Sequence, residues 1–268
     1  MRPITCKSIL TKSRLPNVDY CFNPYVGCTH GCVYCYADFM RRFTGHTSEQ
    51  WGKFVDCKEN AAAVLRREIH KVSGGKSVLL GSVTDAYQPL EGRLGITRQC
   101  LEIFAENDAN ISILTKSALV ARDIDILKRL TCCEVGISLG IANREYSGLL
   151  EPGASSPRER IEALEALHRE KIVTYVFIGP IIPYITRLED IFLQIKDCAD
   201  YVMAEFLNLR VCNIHKLESR LESLLGEDGA RASLNLCSRA ETADACRHKY
   251  EMLCDKYHLQ SKGFFSHS

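Results

Sequence analysis

The sequence predicts an α/β fold built around a parallel sheet. Six apolar runs rich in β-branched residues predict strands, and helical patterns lie between them. Strands that alternate with helices form parallel sheets, because each helix returns the chain to the end of the sheet where the previous strand began. No internal repeat or low-complexity linker interrupts the pattern. We therefore expect one domain over residues 1–268, with an arm (1–18), a core (19–206) and a helical extension (207–268).

The predicted strands are short, and the predicted helices place apolar side chains three or four residues apart. The strands cover residues 20–25, 77–83, 111–115, 134–139, 172–178 and 201–206. The helices cover residues 59–72, 97–106, 123–130, 157–170 and 188–198 in the core, and 211–225 and 241–258 in the extension. The arm is basic with few apolar repeats, so we expect it to pack over one end of the sheet.

Two of these helices begin with capping signals. Asp56 and Glu59 occupy capping-box positions at the start of the first predicted helix. Ser156 and Glu159 form a second capping box, with Pro157 at the first helical position, where its missing N–H would have no partner anyway. Both signals predict where a helix begins.

Composition and charge exclude several classes of protein. The chain carries 34 Lys and Arg against 33 Asp and Glu, a net charge of +1, which argues against a protein that coats nucleic acid or an anionic membrane. A local basic site is still compatible with this balance. No apolar run reaches the roughly 18 residues that a membrane span needs, and the first residues lack the apolar centre of a signal peptide. These features predict a cytoplasmic protein with no membrane partner.

Three of the 14 cysteines form a compact motif. Cys28, Cys32 and Cys35 have the spacing C-x3-C-x2-C, so their thiolates can converge on one metal centre. A structural zinc site needs four ligands, whereas a [4Fe–4S] cluster held by three cysteines leaves one iron free for another ligand. Three thiolates therefore favour a reactive cluster. The alternative is a non-catalytic metal-binding protein in which Cys21 supplies a fourth ligand.

The other cysteines have no such spacing. Four of them lie in the predicted extension: Cys212, Cys237, Cys246 and Cys254. Their separations match no compact cluster motif. We expect buried or incidental thiols in a reducing compartment rather than a second cluster.

At the cysteine motif the chain resembles the radical S-adenosylmethionine (radical SAM) superfamily, in which an aromatic residue precedes the last cysteine, as Tyr34 does here. The string NPYVGCTHGCVYCYA over residues 23–37 is similar to the branch around spore photoproduct lyase. The resemblance covers most of residues 19–206. It continues through residues 84–91, 114–117, 122–123, 150–153 and 180–183. It implies a partial (β/α)6 TIM-type barrel with an N-terminal arm and C-terminal helices.

The resemblance also implies an activity. Members of the superfamily use a reduced [4Fe–4S] cluster to split SAM into methionine and a 5′-deoxyadenosyl radical, which abstracts hydrogen from a substrate. The implied cofactors are the cluster and SAM. The implied partners are SAM, an electron donor such as flavodoxin or ferredoxin, and a substrate that the motifs do not identify.

The resemblance further implies which side chains contact SAM. Ser82, Thr84 and Asp85 follow the second strand, where superfamily members contact the methionine amino group. Thr84 and Asp85 have an alternative reading as caps of the loop after that strand.

Three more implied contacts lie on other strands. Lys116 follows the third strand and would meet the SAM carboxylate, and Ser138 lies in the fourth and would meet the ribose. Tyr34 would lie near the adenine. We also expect Glu151 and Arg160 to form an ion pair, which is either structural or helps to hold SAM.

His30 lies between two of the motif cysteines. We expect it to hydrogen-bond within the loop or to face solvent, since the three cysteines already supply the metal ligands.

One departure from the branch bears on the substrate. Spore photoproduct lyase uses a cysteine at the end of the second strand as a hydrogen-atom donor, and residues 79–85 contain none here. A DNA photoproduct lyase is therefore the alternative, and modification of a peptide, an RNA or a small molecule is favoured. Tyr87, Gln88 and Glu91 either face the substrate or form the turn at Pro89. No catalytic residue is assigned.

Overall fold

The computed structural model describes residues 1–267, which form strands and helices in alternation. The strands are β1 (Arg2–Ile4), β2 (Leu10–Lys12), β3 (Tyr20–Phe22), β4 (Tyr25–Val26), β5 (Asp56–Lys58), β6 (Lys76–Leu80), β7 (Ala109–Thr115), β8 (Cys132–Ser138), β9 (Val173–Ile181), β10 (Tyr201–Phe206) and β11 (Gln260–Phe265). The α-helices are α1 (Ala61–Glu68), α2 (Glu91–Leu94), α3 (Ile96–Ala105), α4 (Ile124–Leu127), α5 (Arg144–Leu150), α6 (Pro157–Arg169), α7 (Leu188–Ile195), α8 (Ile214–Cys237) and α9 (Ala240–Tyr257). Three 3₁₀ helices cover Tyr36–Phe43, Ile69–Lys71 and Ala118–Asp123.

The main sheet has eight strands in the order β11-β10-β9-β8-β7-β6-β3-β2. Seven of them are parallel, and β2 joins the edge antiparallel to β3. Within residues 1–267 the two edge strands do not pair, so the sheet is open rather than a closed barrel. The predicted α/β fold with a parallel sheet is confirmed, and each of the six predicted strands overlaps an observed one.

The predicted C-terminal helices are present as α8 and α9, but a strand that the sequence did not predict follows them. After α9 the chain forms β11, which pairs parallel to β10 and adds a seventh parallel strand. Residues 260–265 include Lys262 and Gly263 and have no apolar alternation, so their sequence carries no strand signal. The edge of β10 and the covering helix impose the extended backbone: Tyr250 of α9 donates a hydrogen bond to the Val202 carbonyl of β10.

The first predicted capping box is wrong, and the second is confirmed. Asp56 lies in β5, where its carboxylate pairs with Arg2 of the arm, and α1 begins only at Ala61. In α6, the Ser156 side chain accepts from the backbone N–H of Glu159, and the Glu159 carboxylate accepts from the backbone N–H of Ser156. A long-range ion pair has overridden the local signal in the first case.

The arm forms part of two sheets. Its strand β1 pairs with β5 in a small three-stranded sheet of order β1-β5-β4, and its strand β2 pairs with β3. Glu68 of α1 fixes the arm further, because its carboxylate accepts the backbone N–H groups of Ile9 (2.9 Å) and Leu10 (3.0 Å). Lys71 donates to the same carboxylate at 2.6 Å.

Apolar side chains on the outer face of the sheet pack against the helices. Phe22 of β3 and Phe104 of α3 meet edge to face with ring centroids 5.7 Å apart. No helix in the described part of the chain is both long and apolar enough to cross a membrane.

We predict that Glu68 makes stability depend on pH. Burial alone would raise the pKa of Glu68, but the hydrogen bonds from Leu10, Lys71 and Ile9 lower it to about 2. A carboxyl with a lowered pKa stabilises the fold above its unfolded pKa and loses that effect as the pH falls through the folded value. Wild type should exceed Glu68→Gln by about 2 kcal/mol in free energy of unfolding at pH 7.

Urea unfolding of wild type and Glu68→Gln at several pH values measures this difference. It should shrink as the pH falls from about 4.5 towards 2. The control Glu106→Gln removes an exposed carboxylate at the end of α3 and should change stability little at any pH. A difference for Glu68→Gln that stays constant with pH would contradict the assignment.

Candidate active site

The three motif cysteines lie on a loop that follows β3 and β4, at the carboxyl end of the first parallel strand. Two glycines let this loop pack tightly against the segment that covers it. Gly27 has φ +84°, and a Cβ there would lie 2.5 Å from the Phe54 carbonyl oxygen. A Cβ on Gly52 would lie 2.7 Å from the Cα of Gly31. The backbone of the covering segment, Trp51 to Phe54, therefore packs directly on the backbone of the cysteine loop, and only glycine fits at these contacts.

Two side chains after β6 fasten the cysteine loop to the sheet. Thr84 donates its hydroxyl to the Gly27 carbonyl at 2.5 Å. The Gln88 side-chain oxygen accepts from the Thr29 backbone N–H at 2.9 Å, and its amide nitrogen donates to Gly27 at 3.4 Å. The sequence offered Gln88 as a substrate contact or a turn residue. It is fully buried and holds the cysteine loop.

Asp85 is buried beside the same loop. Its carboxylate accepts from the Thr115 hydroxyl at 2.7 Å and from the backbone N–H groups of Tyr87 (2.8 Å) and Lys116 (2.9 Å). Its Oδ2 lies 3.3 Å from Nδ1 of His30. Burial alone would raise the pKa of Asp85, but His30 and these hydrogen bonds lower it to about 2. Asp85 is thus a buried anion that joins the second and third parallel strands to the cysteine loop.

The three predicted SAM contacts after β6 all have hydrogen-bond partners within the protein. Thr84 and Asp85 both make protein contacts that position the loop, as their alternative reading proposes. Their contact with the SAM amino group stays a prediction. Ser82 is less buried than they are and accepts a hydrogen bond from the Asn23 amide at 3.0 Å. Asn23 has no signal in a single sequence beyond its place just before the motif.

The cysteine thiols are enclosed. Cys28 and Cys32 are buried and Cys35 is partly buried, with Trp51 and Phe54 packed beside Cys28 and Cys35. Burial raises the pKa of all three thiols, that of Cys32 to about 12, while the nearby Lys116 ammonium opposes the shift at Cys32 and Cys35. Enclosed thiols become thiolates readily only when a metal or a cation compensates the charge.

The donor set fits an iron–sulfur cluster. Three soft thiol donors lie within eight residues, and thiolates are the usual ligands of such clusters. Beside them, Nε2 of His30 is buried and has no hydrogen-bond partner within the described residues, so a polar atom is left for a bound group. His30 is therefore buried rather than solvent-facing, and its imidazole approaches Asp85.

The zinc alternative needs the three motif cysteines and Cys21 to bind a single metal ion. Within residues 1–267, no three His, Cys, Asp or Glu side chains converge closely enough to hold a single metal ion. Cys21, the candidate fourth ligand, is a buried residue of β3 opposite Leu79 of β6.

A buried charged group adjoins the cysteine loop. Glu151 accepts hydrogen bonds from the Tyr34 hydroxyl and, at 2.5 Å, from Arg160. Lys116 Nζ lies 3.9 Å from the same carboxylate and donates to the Ser138 hydroxyl at 2.7 Å. It also lies 5.7 Å from the centre of the Tyr34 ring. The structure thus brings the predicted residues Tyr34, Lys116 and Ser138 together around one carboxylate.

Charge in this group is not balanced. Burial raises the pKa of Glu151, but Arg160 and Lys116 outweigh burial and keep it below its ordinary value. One carboxylate therefore faces two cations, and the group has an excess positive charge. Arg160 is fully buried, whereas 17% of the Lys116 side chain is exposed. Lys116 is the cation that a bound anion can reach.

Two other residues offered as substrate contacts lie in the core. Tyr87 and Glu91 are fully buried. Glu91 accepts from the Tyr25 hydroxyl at 2.5 Å and from Arg122 at 2.9 Å. Glu91 thus holds the loop after β6 from within the core, whereas the buried Tyr87 hydroxyl has no hydrogen-bond partner within residues 1–267.

The fold and the loop define the class of protein: an open parallel α/β barrel that presents three thiols at the carboxyl edge of its sheet. The chain belongs to the radical SAM superfamily, whose family model matches residues 22–192. The resemblance to this superfamily is thereby confirmed, and the chain is a radical SAM enzyme of unassigned substrate.

The chain is similar to several other proteins. An uncharacterized protein of Methanocaldococcus jannaschii is 36% identical over 77% of this chain and 77% of its own length. A radical SAM Nα-GlyT isomerase of Pseudomonas phage M6 is 25% identical over 88% of this chain and 47% of its own length. Spore photoproduct lyase complexed with dinucleoside spore photoproduct shares the fold, with a TM-score of 0.69 and 13% identity over 99% of this chain and 82% of that one.

We predict that Glu151 is essential to the stability of this site. Glu151→Gln leaves Arg160 without a counter-charge in a buried position, which should lower the free energy of unfolding by about 3 kcal/mol. Urea unfolding of the cluster-free protein measures it. The control Glu162→Gln breaks the exposed Arg158–Glu162 pair and should change stability little, because water screens an exposed pair. Equal effects of the two substitutions would contradict the prediction.

Proposed function

We propose that the chain holds a [4Fe–4S] cluster through Cys28, Cys32 and Cys35 and uses it to cleave SAM reductively, giving a radical that abstracts hydrogen from a substrate. The observation that carries this proposal is the partly exposed side chain of Lys116 in a buried group of excess positive charge beside the three thiols. When bound, the reduced cluster supplies the electron that splits SAM into methionine and a 5′-deoxyadenosyl radical.

The chain's own residues would position SAM. Lys116 would receive its carboxylate, because it is the accessible cation of the group. Ser138, whose hydroxyl accepts a hydrogen bond from the Lys116 ammonium group, would contact the ribose. Tyr34 would lie near the adenine. Ser82 would take the amino group, with Thr84 and Asp85 as further contacts.

Other residues would protect the reaction from water. Trp51 and Phe54 pack beside Cys28 and leave it almost no exposure to solvent. A reactive radical requires an enclosed site, because water and side reactions would otherwise consume it. The segment from Trp51 to Phe54 packs closely on the cysteine loop at Gly27 and Gly31, and it would exclude water from the site.

The first test is formation of 5′-deoxyadenosine. Protein purified and reconstituted with iron and sulfide under anaerobic conditions should be brown. With dithionite and SAM it should form 5′-deoxyadenosine. The triple variant Cys28→Ala, Cys32→Ala, Cys35→Ala should lose both properties. Cys132→Ala, which removes an exposed thiol at the start of β8, should keep both.

Two results would contradict the proposal. One is a reconstituted, reduced wild-type protein that binds four irons and forms no 5′-deoxyadenosine from SAM. The other is a brown colour that survives in the triple variant, because other cysteines would then hold the iron.

A second prediction concerns Lys116. Lys116→Met removes the only accessible cation of the buried group, so SAM binding should weaken about tenfold or more, since hydrogen bonds to charged groups contribute roughly 1.5–3 kcal/mol. The SAM concentration that half-converts the electron paramagnetic resonance signal of the reduced cluster measures binding directly. Lys256→Met on α9 is the matched control. An unchanged half-conversion concentration in Lys116→Met would refute the carboxylate role.

A further inference from the structure

An exposed aromatic face begins directly after the last motif cysteine. In the 3₁₀ helix Tyr36–Phe43, Tyr36 is 49%, Phe39 44% and Phe43 75% exposed. Tyr36 and Phe39 lie one turn apart on the same side of this 3₁₀ helix, and Phe39 and Phe43 meet edge to face with ring centroids 6.1 Å apart. Tyr36 donates its hydroxyl to the Ser82 carbonyl, so the face adjoins the carboxyl edge of the sheet. Single exposed apolar residues are ordinary, but a row of three rings at the mouth of a site is not.

Unpaired cations lie in the segment that carries these rings and in a second segment that contacts it. Residues 36–53 and 209–220 together hold six Lys and Arg against three Asp and Glu. The two segments adjoin, because Lys216 at the start of α8 donates to the Trp51 carbonyl at 3.5 Å. Five of the six cations have no ion pair within residues 1–267: Arg42, Lys53, Arg210, Lys216 and Arg220. We call the two segments the aromatic–basic face.

The acids of this face do not neutralise it. Asp38 pairs with Arg41, and Glu49 pairs with His46, which leaves Glu218 as the remaining carboxylate. The face carries a net charge of +3 in a chain of net charge +1, so the remainder of the chain carries −2. The cations are thus concentrated beside the cysteine loop.

We propose that the aromatic–basic face binds single-stranded nucleic acid and delivers one of its nucleotides to the cysteine loop. This proposal rests on the proposed function, because it names the substrate class of that same site. Phosphates would lie along the unpaired cations, and bases would stack on Phe39 and Phe43. A duplex buries its bases in the stack, so exposed rings of this kind suit an unpaired strand. An acidic peptide would use the cations and leave the rings without a role.

The test is a binding measurement on the reconstituted holoenzyme under anaerobic conditions. The probes are a fluorescein-labelled 20-nucleotide single-stranded DNA, the corresponding RNA, the DNA duplex and a labelled polyglutamate peptide. Fluorescence anisotropy at low salt gives each Kd. Wild type should bind a single strand at least about tenfold more tightly than the duplex, and the DNA and RNA arms identify the preferred sugar.

Two pairs of variants separate charge from stacking. Arg42→Glu with Arg220→Glu should weaken single-strand binding about tenfold or more and flatten its salt dependence. The control Arg66→Glu with Arg67→Glu makes the same charge change on α1. Phe39→Ala with Phe43→Ala should also weaken binding about tenfold. Its control, Leu193→Ala with Met252→Ala, removes exposed apolar groups from α7 and α9.

The outcomes are distinct. Equal effects of the face variants and their controls, or preference for the duplex or the peptide, would overturn the proposal. Formation of 5′-deoxyadenosine by wild type without nucleic acid is measured in parallel. If that product forms and no single strand binds, the face proposal fails while the proposed function stands. If a single strand binds and SAM is not cleaved, the proposed function fails instead.

Discussion

The buried carboxylate of Glu151 is the interaction on which the site depends. It lies at the end of α5 and joins the cysteine loop through Tyr34, the third parallel strand through Lys116 and helix α6 through Arg160. Arg160 extends this group by donating to the Ser138 and Ser155 carbonyls. A buried charge is tolerated only when its partners are fixed, so the carboxylate imposes one relative position on three parts of the fold.

The cysteine loop is positioned by a second, mostly uncharged set of contacts. Thr84 and Gln88 hold its backbone from the loop after β6, and the close packing of Gly31 on Gly52 holds it from the other side. Cysteines that must meet one cluster need a loop of fixed shape before the cluster forms. The sequence motif supplies the thiols, and Thr84 and Gln88, which lie 57 and 59 residues after the loop residues that they hold, fix its shape.

Local patterns in the sequence predict most of the sheet and the centre of the site. Strand composition predicts the six core strands, and the resemblance at residues 23–37 leads to Lys116 and Ser138, which the structure brings together. Long-range contacts could not be predicted from local patterns. Strand β11 pairs with the otherwise free edge of β10, and Asp56 forms an ion pair with Arg2 instead of capping a helix. The net charge of the whole chain also gives no sign of the local excess of cations beside the cysteines.

The position of β11 has a consequence for synthesis of the protein. The motif cysteines are translated early, yet the strand that completes the sheet begins about 225 residues after Cys35. At about 5–20 residues per second, the ribosome needs roughly 10–45 s to cover that distance. β10 ends at Phe206, so its edge stays unpaired while the chain from there to Gln260 is made, for roughly 3–11 s, and an unpaired edge is prone to association with other chains. Insertion of the cluster and protection of that edge thus occur at separate times in the life of a nascent chain.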